Sequence, residues 1–467
     1  MTPLGLFLTL ACAALVLCLP RSAAPLGLIA AVCFVTEGQN LNVGVFHFTA
    51  VRVALLAGVV RVLARGESRG MRFNRFDVIV VAYACTIAMI STLRVGTLEQ
   101  LVYQLGGLYN IFLAYLVFRC LLRSEQDYRA VLRLAVPLVV LLAFLMFQES
   151  RTTHNPFAVF GDVEASSWVR GGQVRSQGPF HSPITAGAFG MTFALLYAAT
   201  FFAGTQSLFT LIGLGASLLI MIWAHSSGPF LGFVLGLLAL ACWPLRRHTR
   251  AIRWGISLML LALCLIMKAP VWFILARASD LVGGGGYHRA FLIDQFVNHF
   301  DSWWLAGTSD THDWFPYRLA VSGEADITNA FVQAGVSGGL VGLILFVVVV
   351  VRCFQRLGTA LKRSPGNEQT TEKMLWGVGS TFVATVGVFF SVTYFDQMQV
   401  IWYFLLAYVG GLENRKKQIP KLKRSAPSAS TEGASSPVDV EPAGTVEGHG
   451  HRMLVESPSK DYLVVPA

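Results

Sequence analysis

Arg170 and Arg175 stand in a segment dense in turn formers, Trp168-Val-Arg-Gly-Gly-Gln-Val-Arg-Ser-Gln-Gly-Pro-Phe-His-Ser-Pro183. A guanidinium grips phosphate or carboxylate oxygens in a planar, two-pronged fashion. The Gly and Pro residues allow tight turns and close backbone approach. Ser182 fits an N-cap, with Pro183 at the first helical position. A helix N-terminus beside two arginines is an anion site; the plainer alternative is two arginines reaching to lipid head groups.

Two further polar segments have comparable chemistry. His225-Ser-Ser-Gly-Pro-Phe230 reads as a tight turn between two apolar helices, with small residues that free backbone N–H groups for an anion. A simple helical hairpin explains it equally well, and a lone turn histidine is ordinarily just solvated. Residues 276–326 form the longest polar stretch before the C-terminal tail. Gly283–Gly286 reads as a hinge before a helical segment, Tyr287 to Asp294, in which Arg289 and Asp294 can meet around a turn or face a substrate. Asp310, His312 and Asp313 lie within four residues. His312 suits a general base because imidazole titrates near neutrality. The spacing makes a poor metal site, and no metal is expected. Glu324 and Asp326 precede an apolar helix, where a carboxylate either caps the helix or does acid–base work. Asn329 and Gln333, four apart on that helix, are expected to face a cavity. Gly335, Gly338 and Gly339 suit close helix packing. Trp303, Trp304 and Trp314 suit a sugar face or a membrane–water interface.

These segments are set in a very apolar chain. Of 467 residues, 54% are hydrophobic and 13% charged, where a soluble domain carries about 25% charge. The fold class is all-α, a polytopic membrane protein with about 12–13 transmembrane helices and a large extracytoplasmic loop before the last three. Predicted spans are 4–20, 24–36, 44–64, 76–93, 99–122, 128–149, 183–203, 207–224, 229–245, 253–275, 327–351, 374–395 and 397–413. The second is short enough to be re-entrant. The first lacks a charged leader and is expected to be retained.

Arginine clusters at 61–75, 123–133, 246–253 and 352–373, and a basic run from Arg415, mark cytoplasmic loops. Loops 150–182 and 276–326 then lie outside. The N-terminus joins them if both arms of the first hairpin span. Residues 1–413 form the transmembrane domain and 414–467 a disordered cytoplasmic tail, rich in Ser, Pro and Gly. The net charge of +10 serves topology; no basic face suggests nucleic acid. All eight cysteines fall in or at the ends of spans, without a Cys-x-x-Cys pair, which argues against a disulfide framework or zinc.

Four stretches, in this order and on one side of the membrane, resemble the O-antigen ligase and Wzy-type polymerase superfamily of bacterial membrane glycosyltransferases. Arg175-Ser-Gln-Gly-Pro-Phe-His-Ser-Pro183 is similar to the family's Arg-x-x-Gly-x-Phe-x-x-Pro approach to a helix. Ser226-Ser-Gly228 is similar to its Ser-Arg-Ser-Gly helix start, without the Arg. Arg289 through Leu305-Ala-Gly307 is similar to its Arg-rich amphipathic segment ending in a Gly turn. Asn329-Ala-Phe-Val-Gln-Ala-Gly335, with Gly338 and Gly339, is similar to its polar helix start followed by Gly-x-x-Gly. The family often has His just before this last motif; here Glu324, Asp326 and Asn329 stand there.

The resemblance covers about residues 40–412. It implies transfer of a glycan from a polyprenyl-diphosphate carrier to an acceptor hydroxyl on glycan, lipid or protein, in surface or exopolysaccharide biosynthesis. The chain would be a multi-pass protein of the bacterial cytoplasmic membrane with an extracytoplasmic active face, and would use no cofactor. Arg170, Arg175 and Arg289 would hold the diphosphate, with Asn329, Trp303 and Trp304 also on the substrate. His312, Asp310 or Glu324 would orient or deprotonate the acceptor. Two other functions stay open: a transporter of polysaccharide or lipid-linked glycan, which calls for interrupted or charged helices near the bilayer midplane, and an inactive member that binds carrier lipid.

Overall fold

The computed structural model describes residues 1–44, 46–69, 71–280, 286–314, 326–363, 369–394 and 397–412. Glu324 and the tail from 413 therefore lie outside the described residues.

Helices α1 (Pro3–Cys18) and α2 (Pro25–Phe34) lead into a hairpin of β1 (Asn40–Val43) and β2 (Phe46–Thr49), then α3 (Ala50–Ala64), α4 (Arg75–Val95), α5 (Leu98–Leu121) and α6 (Glu125–Thr152). A second hairpin, β3 (Trp168–Arg170) and β4 (Gln173–Arg175), precedes α7 (Pro183–Phe202), α8 (Leu208–Trp223), α9 (Ser227–Ala241) and α10 (Thr249–Ile266). The polar loop folds as α11 (Ile274–Asp280), α12 (Gly286–Asn298) and the single turn α13 (Phe300–Trp303). Helices α14 (Ala330–Arg363), α15 (Gln369–Val388) and α16 (Gln397–Gly411) complete the described chain.

Each of the thirteen predicted spans overlaps at least one of these helices. Among the described residues, six helical segments are long and apolar enough to cross a membrane, and four more apolar helices are shorter. The fold is thus that of a mostly helical, multi-pass membrane protein. Four spans differ clearly from expectation. The third is expected from 44, but residues 46–49 pair as a strand with 40–43. The tenth is expected to reach 275, yet its helix stops at Ile266, before Lys268 and Pro270. Helix α14 runs on past 351 to Arg363, and α15 ends at Val388, short of 395.

The helices begin where side chains can serve their orphan N–H groups. Thr49, Thr97 and Ser207 cap α3, α5 and α8. Asn74 with Asp77, Ser124 with Asp127, and Ser182 with Thr185 form reciprocal capping boxes on α4, α6 and α7. Helix α16 is buried along nearly its whole length and packs against α5. Helix α7, almost as deeply buried, packs on α8, α9 and α15. Helix α10 buries no residue.

Arginines assigned to cytoplasmic loops gather at one end and bond the carbonyls that helices leave open at their C-termini. Arg61 donates to Val16 O at 2.7 Å and pairs with Glu67. Arg356 bonds Val409 O and Asn74 Oδ1. Arg119 clasps Asp77 through both carboxylate oxygens at 3.1 Å. At the opposite end the N-terminus meets Asn40 O, and Gln397 joins the Val35 and Pro179 carbonyls.

Helix α14 is broken at Gly339, where φ is +62° and ψ −164°. The groups freed there are taken up by the polar loop: Thr308 N–H donates to Val336 O (2.9 Å) and Leu340 N–H to Trp304 O (2.8 Å). Arg94, in the last turn of α4, donates to both Ala306 O and Val336 O. Irregular backbone at membrane depth is tolerated only when satisfied in this way.

Candidate functional site

Gly171 and Gly172, both at positive φ, make a two-residue turn that closes β3 on β4. Trp168 pairs with Arg175 and Arg170 with Gln173. Residues two apart on a strand share a face, so Arg170 and Arg175 project from the same side of the hairpin. The chain after Arg175 is tightly anchored. Ser176 N–H donates to Trp223 O at 3.0 Å and its hydroxyl to Met146 O. Gln177 and Gly178 donate their N–H groups to the carboxylate of Glu149. The bond to Trp223 sets Arg175 beside the turn holding His225.

That turn opens α9. His225 has φ +41°, a conformation uncommon outside glycine. Ser226 is the N-cap, yet its hydroxyl makes no capping bond and is buried without a partner. The cause is local: Pro229 occupies the third helical position, where the N–H that a serine cap ordinarily accepts from is missing. Helix α9 therefore starts with an uncapped, positively polarised end. Arg289 reaches it from α12; a methyl group built on Gly228 would lie 3.7 Å from its guanidinium, with Ser391 closer still. Ser227 and Ser279 hydroxyls approach to 3.4 Å alongside.

These cations feel one another. Burial, and then the charges of Arg170 and Arg175, push Arg289 down to about 10. Arg175 is lowered by burial and by Arg170, and its buried Nε has no partner. His225 is lowered by partial burial and then by Arg175, which keeps its imidazole neutral at pH 7. Among the described residues no carboxylate pairs with Arg170, Arg175 or Arg289; the ion pairs are Arg21–Asp127, Arg61–Glu67, Arg119–Asp77 and Arg129–Glu125. Three guanidiniums without a paired carboxylate among the described residues, near an uncapped helix end, have the chemistry to receive an anion of high charge.

Other expected residues go elsewhere. Asp294 does not meet Arg289: five residues on in α12, it accepts from Trp272 Nε1 and Asn298 Nδ2. Trp303 offers no face to a sugar. It is buried, stacked on Phe296 at 3.9 Å, and its indole N–H donates to Phe296 O. Trp314 is buried against His299, whereas Trp304 and Trp168 are exposed. Asp310 turns its carboxylate to the His312 N–H. Both residues are exposed, and neither contributes to the charges felt by Arg175, His225 or Arg289. Asn329 caps α14 through Oδ1 and is buried. Gln333, half-buried, donates to the Ser337 hydroxyl one turn on. No cluster of His, Cys, Asp or Glu among the described residues could hold a metal ion.

Sequence reasoning missed Glu149 and Arg94, which anchor the hairpin and the polar loop. Each is an ionisable residue that follows a long apolar run near the end of its helix, a signal for a specific buried partner. No protein-family model matches this chain, and no curated protein matches it.

Proposed function

We propose that this protein is a membrane glycosyltransferase that moves a glycan from a polyprenyl-diphosphate carrier to an acceptor hydroxyl, on the extracytoplasmic face of a bacterial cytoplasmic membrane with the C-terminus inside. The observation that carries this reading is the set of Arg170, Arg175 and Arg289 near the uncapped start of α9, with no paired carboxylate among the described residues. A diphosphate leaving group develops negative charge as its bond to the anomeric carbon breaks, and preorganised cations stabilise that charge selectively. The acceptor oxygen forms the new bond to the anomeric carbon and surrenders its proton. His225, neutral and beside Arg175, is better placed to take it than His312 or Asp310. The exposed rings of Trp168 and Trp304 supply surfaces for pyranose faces.

Transport of a lipid-linked glycan is the second reading, favoured by the broken helix α14. The groups freed at that break are already bonded to Trp304, Thr308 and Arg94, which argues against a cargo path there.

The test is transfer of glycan in cells lacking the gene and complemented with variants. Arg175→Ala and Arg289→Ala should each reduce product by about 100-fold or more at unchanged membrane abundance; full activity in both refutes the reading. In the deletion, short surface chains indicate a polymerase. Long chains retained on the carrier indicate a ligase.

A further inference from the structure

We infer that Glu149 is the positioning residue for Arg175, its carboxylate clamping both ends of the hairpin that carries the arginines. The inference rests on the reading of Arg175 as part of an anion site.

Glu149 lies near the C-terminus of α6 and is fully buried. A buried carboxylate is ordinarily neutralised by a cation, but no ion pair is formed here among the described residues. Its bonds go instead to Ser167 Oγ (3.2 Å), Gln177 N (2.9 Å) and Gly178 N (2.8 Å). Ser167 immediately precedes β3, and Gln177 and Gly178 closely follow β4. One carboxylate thus ties the strand that leads to Arg170 and the strand that ends in Arg175. Asn155 Nδ2 reinforces the second leg through Gly178 O at 2.9 Å.

This arrangement answers a difficulty of the site. Arg170, Arg175 and Arg289 repel one another, and among the described residues no carboxylate holds any of them. Something other than an ion pair must keep Arg175 near the start of α9, and a clamped backbone does so while leaving its guanidinium open to a ligand. The clamp requires two acceptor oxygens, since Oε1 takes Gln177 and Ser167 while Oε2 takes Gly178. Glutamine has one acceptor oxygen; its NH2 would face an N–H donor and leave it unsatisfied.

The experiment is calorimetric titration of the full chain, purified in detergent, with inorganic pyrophosphate. Glu149→Gln should weaken binding about tenfold in the wild-type and Arg289→Ala backgrounds. In the Arg175→Ala background the loss should shrink to about threefold or less, because only the placement of Arg170 is then left to Glu149. A purely structural role would weaken binding equally in all three. That equal loss, or wild-type affinity in Glu149→Gln, overturns the inference. If Glu149→Gln fails to accumulate, Glu149→Asp is carried through the same cycle, with the same dependence on Arg175 expected. Should neither Arg175→Ala nor Arg289→Ala alter wild-type binding, the anion-site reading itself fails and this inference with it.

Discussion

Replacing Gly339 by alanine should be far more damaging than replacing its neighbour Gly338, although the sequence gives them the same packing role. At Gly339 the backbone sits at φ +62° and ψ −164°, a region essentially closed to residues with a Cβ, and occupying it costs roughly 1–3 kcal/mol. The added methyl would lie 2.7 Å from Leu305 O and 3.0 Å from Trp304 O. Both are backbone atoms with nowhere to go. Relief requires α14 to straighten, which breaks the Leu340-to-Trp304 bond and displaces Thr308 and Arg94 from Val336 O. Buried bonds contribute about 1 kcal/mol each, so the total loss is about 3–4 kcal/mol. At Gly338 the only close atom is Ile87 Cδ1, at 2.4 Å, the far end of a flexible side chain. Its displacement costs about 1 kcal/mol, and the gain in helix propensity offsets about as much. Unfolding by SDS in mixed micelles, followed through tryptophan fluorescence, measures both variants. Indistinguishable midpoints for Gly338→Ala and Gly339→Ala would refute the assignment of the break.

Two further outcomes follow from the site. The transfer rate should rise with pH through the lowered pKa of His225 and stay level across neutrality. A pH–rate profile of His225→Ala that keeps the acid limb unchanged would remove His225 as the base. Trp303→Ala should destabilise the protein by about 3–5 kcal/mol, as other large buried aromatics do. Trp304→Ala should stay within about 0.5 kcal/mol of wild type while weakening acceptor or donor use. Thermal or SDS unfolding beside the glycan assay separates the two tryptophans.

The apolar runs were legible because hydropathy over a bilayer's thickness leaves little alternative to a helix. The grouping of Arg170, Arg175 and Arg289 came from the family resemblance and not from composition; in the structure Arg289 lies close enough to feel both of the others. Partner choice was not legible. Asp294 lies five residues beyond Arg289, about 140° around the helix, and faces Trp272 instead. Trp303 and Trp304 are adjacent, yet a helical turn buries one and exposes the other. Glu149 shows only as a carboxylate in an apolar helix until the backbone groups of 177 and 178 are seen to converge on it.

The sharpest contrast concerns two helix starts that look alike in sequence. Helices α7 and α9 each open with a serine cap and a nearby proline. In α7, Pro183 holds the first position, where its missing N–H is harmless, and Thr185 completes the capping box with Ser182. In α9, Pro229 holds the third position and takes away the donor that Ser226 needs. A shift of two places in one proline therefore separates a closed helix end from an open one. The open end is the one that Arg289 overhangs. The anion site expected beside Ser182 is better proposed at the start of α9, where the capping chemistry fails and where, among the described residues, no carboxylate pairs with Arg170, Arg175 or Arg289.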